Sequence, residues 1–466
     1  MKSAALMAHQ GQRNTNDAIA SRYLRMAKHC LFFDQTKGDY LLKQGSTINP
    51  DKGIRIRIKA KLKQLGIQNI DAKIAALLSE VVSEKSITRL GPIAGYKTGT
   101  ILDCAGGKLL VTGQAQEVQP SKGKWTRIET LVTSLLGPEQ ALVYFAWVQT
   151  QLIAVRSGAH FPAPLLAIVG ESDDGKSLLA AITVEILGGR SINPLGAWTS
   201  KGAVWNNQLL EAETLLIDDS SHRDDRRGRN ELASEFKEAI YGGKVTIRKR
   251  HTTDFTCRPV WNVMIVCNAD SEAIRVIPDP FLAGFNDKLV LLKTSKGDVF
   301  LREAGDSARE KRWAAYMQEL PAFAYYLLED FEIPSVLPDG IKKVRGGLLY
   351  QHPDTLKQWR AASPEGHLAA IIEDYIAKNS VGGLSTTSGE LTTSGVREVL
   401  SAEGGYTVSL PKTDIALGQQ LGRLAKEGHP NIRKAGLARS GAVLWKIGQF
   451  DDAPDSEADS GVALPS

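Results

Sequence analysis

Cysteine is scarce in this chain: there are four in 466 residues, Cys30, Cys104, Cys257 and Cys267. None stands in a CxxC spacing, so neither a zinc module nor a disulfide framework is indicated, and a reducing, cytoplasmic setting fits. Long apolar runs are missing as well. The best one, residues 141–148, ends at Gln149-Thr150-Gln151, far short of the roughly 18 apolar residues of a membrane span. The opening MKSAALMAHQGQRN holds too short an apolar segment for a secretory signal. No internal repeat recurs at a fixed period, and residues 1–125 carry no DxD pair and no other catalytic signature. The tail 451–466 has five acids and no Lys or Arg, so with a net charge of +5 overall, residues 1–450 hold +10. A basic body with an acidic tail suits a polyanion partner, and it suits plain solubility equally well.

What is present is ordinary for a soluble globular protein, with 42% hydrophobic and 23% charged residues. The length implies about three domains. Residues 1–125 read as a mixed accessory region, closed by the Gly- and Lys-rich patch Pro120-Ser121-Lys122-Gly123-Lys124. Within it, residues 54–63 (IRIRIKAKLK) alternate apolar and basic side chains. That pattern predicts a strand with one cationic face, although Ile54, Ile58 and Leu62 would also align on a helix. The cations could touch phosphates or simply be solvated. From 126 to 330 apolar strands alternate with helical stretches, the pattern of an α/β parallel sheet. Residues 331–364, with Pro334, Pro338, Gly340, Gly346 and Gly347, read as a linker; 365–450 form a small basic unit, and 451–466 a disordered acidic tail.

One stretch carries chemistry. Gly170-Glu171-Ser172-Asp173-Asp174-Gly175-Lys176-Ser177 matches GxxxxGK[ST], between the apolar run 165–169 and the helix-like KSLLAAITVEIL of 176–187. Glycines let such a loop aim successive backbone N–H groups at a phosphate, beside the positive end of the following helix. Lys176 then reaches the β- and γ-phosphates of ATP, and the Ser177 hydroxyl coordinates Mg²⁺. Asp173 and Asp174 are expected to point outward while the amides face in. Carboxylates for the metal follow 42 residues after Lys176, at the end of Thr214-Leu215-Leu216-Ile217-Asp218-Asp219. Asp218 should hold the Mg²⁺ shell, and Asp219 should orient and deprotonate the attacking water. A third strand, 263–267, ends at Asn268, placed to hold that water or to be an ordinary strand-end turn residue.

In order and spacing these three motifs resemble the superfamily 3 helicases of viruses, phages and mobile elements, which are AAA+-like ring ATPases. The resemblance covers about residues 126–450, and 165–292 most specifically. It implies a P-loop NTPase fold with a parallel-sheet core. Between the second and third motifs, 232–241 (LASEFKEAIY) reads as a helix, and 242–251 (GGKVTIRKRH) as a strand rising to a basic tip. Lys244, Arg248, Lys249 and Arg250 there suit phosphate tracking, or the blocking of a sheet edge. In the family this hairpin meets DNA in the ring channel, which implies DNA contact by Lys249, Arg250 and His251. The family also places an arginine finger before an apolar strand; here Lys288 stands at that place, and Arg275 is the alternative. Residues 410–424 are similar to the C-terminal domain of phage and satellite primase–helicases. There, three helical runs (367–378, 394–403, and 414–427 with Ile415, Leu417, Leu421 and Leu424 as its apolar face) and a hairpin at 432–447 read as a winged helix. Lys412, Arg423, Lys426, Arg433, Lys434 and Arg439 could meet phosphate there, or the unit could dock protein.

The resemblance thus implies an ATP-dependent DNA helicase acting in replication of a phage, prophage or mobile element. It implies ATP and Mg²⁺ as cofactors, single-stranded or forked DNA as partner, a homo-oligomeric ring such as a hexamer, replication proteins as possible partners, and no membrane. The setting would be the cytoplasm of a bacterial host, and travel 3′→5′. Two other readings keep the ATPase and change what its hydrolysis drives. One is a nucleic-acid-sensing or remodelling NTPase, and the other an ATP-switched, origin-binding initiator.

Overall fold

The computed structural model describes residues 2–104, 107–199, 206–218, 226–241, 243–248, 254–270, 272–280, 285–295, 306–380, 389–402, 410–426, 428–448 and 450. Two compact units emerge, one of Met1–Asn268 with Val276–His352, the other of Ala269–Arg275 with Pro353–Ser466.

The first unit begins with α1 (Lys2–Cys30), then the meander β1 (Leu31–Asp34), β2 (Asp39–Gln44) and β3 (Thr47–Pro50). Next come α2 (Ile54–Gln64), α3 (Ile70–Glu84) and β4 (Ser86–Ile87), which pairs parallel with β1. α2 corrects the strand expected at 54–63. Ile54, Ile58 and Leu62 recur every four residues and are buried together with Ile74, Leu77, Leu78 and Val81 of α3. Packing against a neighbouring helix decides between the two periods that the sequence allows. A small sheet follows, in which β5 (Arg89–Gly91) and β6 (Ile101–Cys104) flank β7 (Gly107–Val111).

α4 (Thr126–Ser157) is bent at Gly137, whose φ of 69° no helix contains. Pro138 then restarts the helix, where its missing N–H costs nothing. The central sheet is built from β8 (Leu165–Gly170), β9 (Ser191–Ile192), β10 (Thr214–Asp218), β13 (Asn262–Asn268) and β14 (Leu289–Lys293). Its order is β14-β8-β13-β10-β9, and every pairing is parallel. All six residues of β8 are buried, the continuous apolar run expected of a strand covered on both faces. The covering elements include α4, α5 (Lys176–Ile186) and α8 (Asp306–Tyr325), whose Tyr144, Trp147, Leu179, Ile182, Tyr316 and Phe323 meet the sheet's Leu166, Ile168, Val266 and Leu292. Between the strands lie α6 (Leu195–Thr199), α7 (Arg226–Tyr241) and an antiparallel hairpin, β11 (Val245–Ile247) with β12 (Phe255–Cys257).

The Pro- and Gly-rich stretch after residue 331, expected as a linker, carries a hairpin of its own, β15 (Lys342–Val344) and β16 (Gly347–Leu349). Ile341 and Leu348 are buried in the central core. Leu291 of β14 donates to Tyr350 O and accepts from the amide of His352, so the chain lies beside the sheet edge there.

The second unit contains α9 (Pro353–Ala362), α10 (Pro364–Ser380), β17 (Leu391–Thr392), α11 (Thr393–Ala402), α12 (Asp414–Lys426), β18 (Ile432–Leu437) and β19 (Val443–Ile447). Its sheet runs β17-β19-β18, antiparallel throughout. Leu368, Ile372, Val396, Leu400, Leu417, Leu421, Leu424 and Trp445 share one core. Ile415, expected on that apolar face, is 76% exposed, because two residues along a helix is a rotation of about 200° away from Leu417. Arg423 is engaged with Glu365. Residues 451–466 lie outside the described residues.

Candidate nucleotide site

Three adjacent strands of the central sheet, β8, β13 and β10, end at the same edge. Gly170 is in register with Asn268, and Asp218 with Val266. The crevice beyond the carboxyl ends of parallel strands is where such sheets bind ligands. The phosphate-loop candidates are delivered to it locally. Asp173 (φ 62°) and Gly175 (φ 103°) turn the chain through the left-handed region, and α5 starts at Lys176. Glu171, Ser172, Asp173 and Ser177 are exposed.

Lys176 is 4% exposed and folded back into its own loop. Its ammonium donates to Glu171 O at 2.8 Å and stands 3.7 Å from Asp174 Oδ1. Asp174 departs from the outward orientation expected of both loop acids. It is 2% exposed, accepts from the amide of Lys176 at 3.0 Å through Oδ1, and from the hydroxyl of Thr294 through Oδ2. Thr294 follows β14, and its amide donates to Val169 O at 2.9 Å. An inward carboxylate needs a cation and donors in a buried place, and Lys176 and Thr294 supply them. Gly170 leaves the room: a Cβ there would run into Thr294 Oγ1 and Asp174 Oδ2.

Ser177 Oγ lies 3.4 Å from Asp218 Oδ1, a long contact for a hydroxyl and a carboxylate. A hydroxyl and one carboxylate converging beside a phosphate loop are the donor set Mg²⁺ takes when substrate phosphates and water complete its shell. Asn268 Oδ1 is buried with no hydrogen-bond partner among the described residues, which leaves a polar atom at this edge whose need is unmet. The residues therefore fit a magnesium–triphosphate.

Lys176, Ser177, Asp218 and Asn268 are thus gathered at one edge. Lys288 is not among them. Its carbonyl accepts from the amide of Leu165, at the opposite end of β8, about 16 Å along the strand from Gly170. Its ammonium rests 4.8 Å over the ring of Tyr241, whose phenol is pushed up to about 12 by burial and then by Asp287. Arg275, the alternative finger, donates to Ala362 O at 2.9 Å within the second unit. Asp219, Lys249, Arg250 and His251 lie outside the described residues. At the base of their hairpin, Arg248 faces Asp254 at 3.7 Å, and its backbone is bracketed by Asn206.

Two features carry no sequence motif. Thr294 closes over Asp174 from 120 residues away. Glu213, immediately before β10 and fully buried, takes up Arg190 Nε at 2.8 Å and the amide of Gly95 at 2.9 Å. That network ties the small sheet region to the root of the strand bearing Asp218. The acid next to an apolar run was the one visible signal.

No family model matches the chain, and no curated protein matches its sequence. Among solved structures, the C-terminal region of NrS-1 in an apo form is similar over 90% of this chain and 96% of that one, at 11% identity and a TM-score of 0.49. A second apo structure of that region gives 12% identity, 90% and 95% coverage, and 0.49. An inhibitor-bound JCV helicase is similar over 45% of this chain and 54% of that one, at 13% identity and 0.26. No helix among the described residues is long and apolar enough to cross a membrane. What the molecule shows in its own right is a mixed α/β fold with a five-stranded, all-parallel sheet and a phosphate-loop sequence at that sheet's carboxyl edge.

Proposed function

We propose that the chain is an ATP-dependent DNA helicase of the superfamily 3 type, a ring-forming AAA+-like motor in replication of a phage, prophage or mobile element. The convergence of Lys176, Ser177, Asp218 and Asn268, whose Oδ1 has no partner among the described residues, on one sheet edge carries this reading. Loop amides from 171 to 177 bind the phosphates, and Lys176 exchanges the Glu171 carbonyl for phosphate oxygens. Ser177 and Asp218 would hold Mg²⁺, which neutralises phosphate charge when bound. Asn268 holds the attacking water, and Asp219 takes its proton. Lys249, Arg250 and His251 at the hairpin tip contact one DNA strand. Lys288 serves a neighbouring subunit's γ-phosphate, which its distance from the loop of its own chain permits. The helices and antiparallel hairpin of the second unit act as a winged helix. The domains divide at about 125, 330, 364 and 450, and the protein works in the cytoplasm, that of a bacterial host if it is phage-encoded.

A second reading is an ATP-switched initiator. The contact of Lys288 with Tyr241 favours it, since a cation committed to a ring leaves hydrolysis slow.

Hydrolysis with and without single-stranded DNA, together with forked-duplex unwinding, tests both readings. Lys176→Ala and Asp219→Ala should abolish hydrolysis. Arg250→Ala/His251→Ala should keep basal hydrolysis while losing DNA stimulation and unwinding. Wild type that hydrolyses ATP and never unwinds selects the switch, and absence of magnesium-dependent nucleotide uptake overturns both.

A further inference from the structure

The N-terminal part of the chain holds charge for which the nucleotide site has no use. Residues 1–85 contain fifteen Lys and Arg against seven Asp and Glu, a net +8, whereas the whole chain carries +5. α2 is the densest piece, with Arg55, Arg57, Lys59, Lys61 and Lys63 in eleven residues and no acid. Its buried stripe, Ile54, Ile58 and Leu62, is spent on α3. The remaining circumference faces outward.

Intramolecular needs account for two of these cations. Arg57 pairs with Asp51, whose Oδ1 also takes the amide of Gly53 at 3.0 Å and so holds the start of the helix. Lys59 meets Asp71 at 2.7 Å. Among the described residues Lys61 reaches only the Gln64 side chain, at 3.2 Å. Arg55 and Lys63 have no acidic partner among the described residues. At 100° per residue, Arg55, Lys59 and Lys63 form one ladder and Arg57 and Lys61 a second. Ile56, 74% exposed, lies between them with Ala60. Successive cations in a ladder are about 6 Å apart along the axis, within the ~10 Å Debye length at 0.1 M salt, so they act as one field. Like charges four residues apart destabilise an isolated helix. The helix therefore keeps these cations against its own stability.

We infer that the outward face of α2 is a nucleic-acid contact, gripping the phosphate backbone through Arg55, Lys61 and Lys63 without reading sequence. An anionic membrane is the poorer match. Interfacial helices bury a broad apolar face rich in Trp, Phe and Leu, and this face offers Ile56 and Ala60 alone, its other apolar residues being packed on α3. The choice of nucleic acid also leans on the motor reading; the surface itself does not, and it lies on elements separate from the phosphate loop.

The test uses the full chain without nucleotide, binding a short fluorescent single strand across a salt series. Arg55→Gln/Lys61→Gln/Lys63→Gln should weaken binding about tenfold at moderate salt and flatten the log–log salt slope by about 2, roughly 0.7 per lost contact. Ile56→Ser should leave both unchanged. All the sites are exposed, so the triple variant should melt at or slightly above the wild-type midpoint, the like-charge repulsion being relieved, and DNA-independent hydrolysis should stay at the wild-type value. An unchanged slope and affinity in the triple variant would overturn the assignment. So would a triple variant that binds DNA normally and loses binding to phosphatidylserine-containing vesicles, or an Ile56→Ser variant that alone loses DNA. Calorimetry with magnesium–ATP separates the two ideas: no nucleotide uptake with DNA binding still dependent on α2 sinks the motor and upholds this surface.

Discussion

In Lys176→Ala the ammonium facing Asp174 is gone, while the carboxylate stays under the loop with 2% of its surface exposed. Breaking a buried ion pair by removing one partner costs about 3–5 kcal/mol, mostly from the charge left behind. Asp174 keeps two donors, the amide of residue 176 and the Thr294 hydroxyl. The pair's separation of 3.7 Å is also loose. The expected cost is therefore below that range, about 2–3 kcal/mol. At about 2–4 °C per kcal/mol for a domain of this order, the nucleotide-free protein should melt about 5 °C lower. Asp174→Asn/Lys176→Ala removes both charges and should recover most of the loss, giving a coupling of about 2 kcal/mol in the double-mutant cycle. Thermal and urea melts of the four proteins without nucleotide measure it. A Lys176→Ala midpoint equal to wild type, or losses that simply add in the double variant, would refute the claim that these side chains compensate each other. The result bears on practice, since a lysine-to-alanine change is the usual way to silence such a loop and here it should also loosen it.

Asn268→Ala should retain nucleotide binding and slow hydrolysis by about a hundredfold, as loss of one positioning donor does elsewhere; unaltered turnover would return Asn268 to a turn role. Lys288→Ala should lose hydrolysis with nucleotide binding and assembly intact, whereas Tyr241→Leu should hydrolyse at the wild-type rate under the motor reading and faster if the ring holds the cation back; wild-type rates in Lys288→Ala would move the finger elsewhere. Arg190→Ala strands the fully buried Glu213 carboxylate with the Gly95 amide and should cost about 3–5 kcal/mol, seen as a lower midpoint. Thiol titration should find two reactive cysteines in the native protein, Cys30 and Cys104, and four after denaturation. Burial pushes the Cys257 thiol up to about 12, so too little thiolate forms at pH 9 for it to react.

The site was legible in the sequence where its parts are local. A phosphate loop is strand, turn and helix in one continuous stretch, so 165–187 announces its own geometry, and β8 and α5 begin and end within a residue or two of that expectation. The strands ending at Asp218 and Asn268 were visible for the same reason, as apolar runs closed by a polar residue. What failed to show depends on distance along the chain. IRIRIKAKLK satisfies a strand period and a helix period together, and only α3, packing on Ile54, Ile58 and Leu62, decides between them. The hairpin at 342–349 is announced as loop by its glycines and prolines, yet Leu348 finds the core through α4.

Asp174 is the clearest case of the same rule, and it changes how the loop should be understood. Beside a polyphosphate, an acid in this position reads as a fault unless it points away. It does not point away, because the hydroxyl of Thr294, which follows β14, donates to it beneath Gly170, and because Lys176 lies within Coulombic reach. The loop's lysine is thus already partnered, by Glu171 O and by the buried Asp174 carboxylate. On the proposed reading a nucleotide would exchange these partners, one carbonyl and one carboxylate, for phosphate oxygens and would not capture a bare cation. The gain from Lys176 would then be the difference between phosphate and Asp174 as partner, smaller than the full attraction of ammonium for phosphate. A triphosphate bound there would accordingly be gripped more by the loop amides, and by Ser177 and Asp218, than the lysine's prominence in the motif implies.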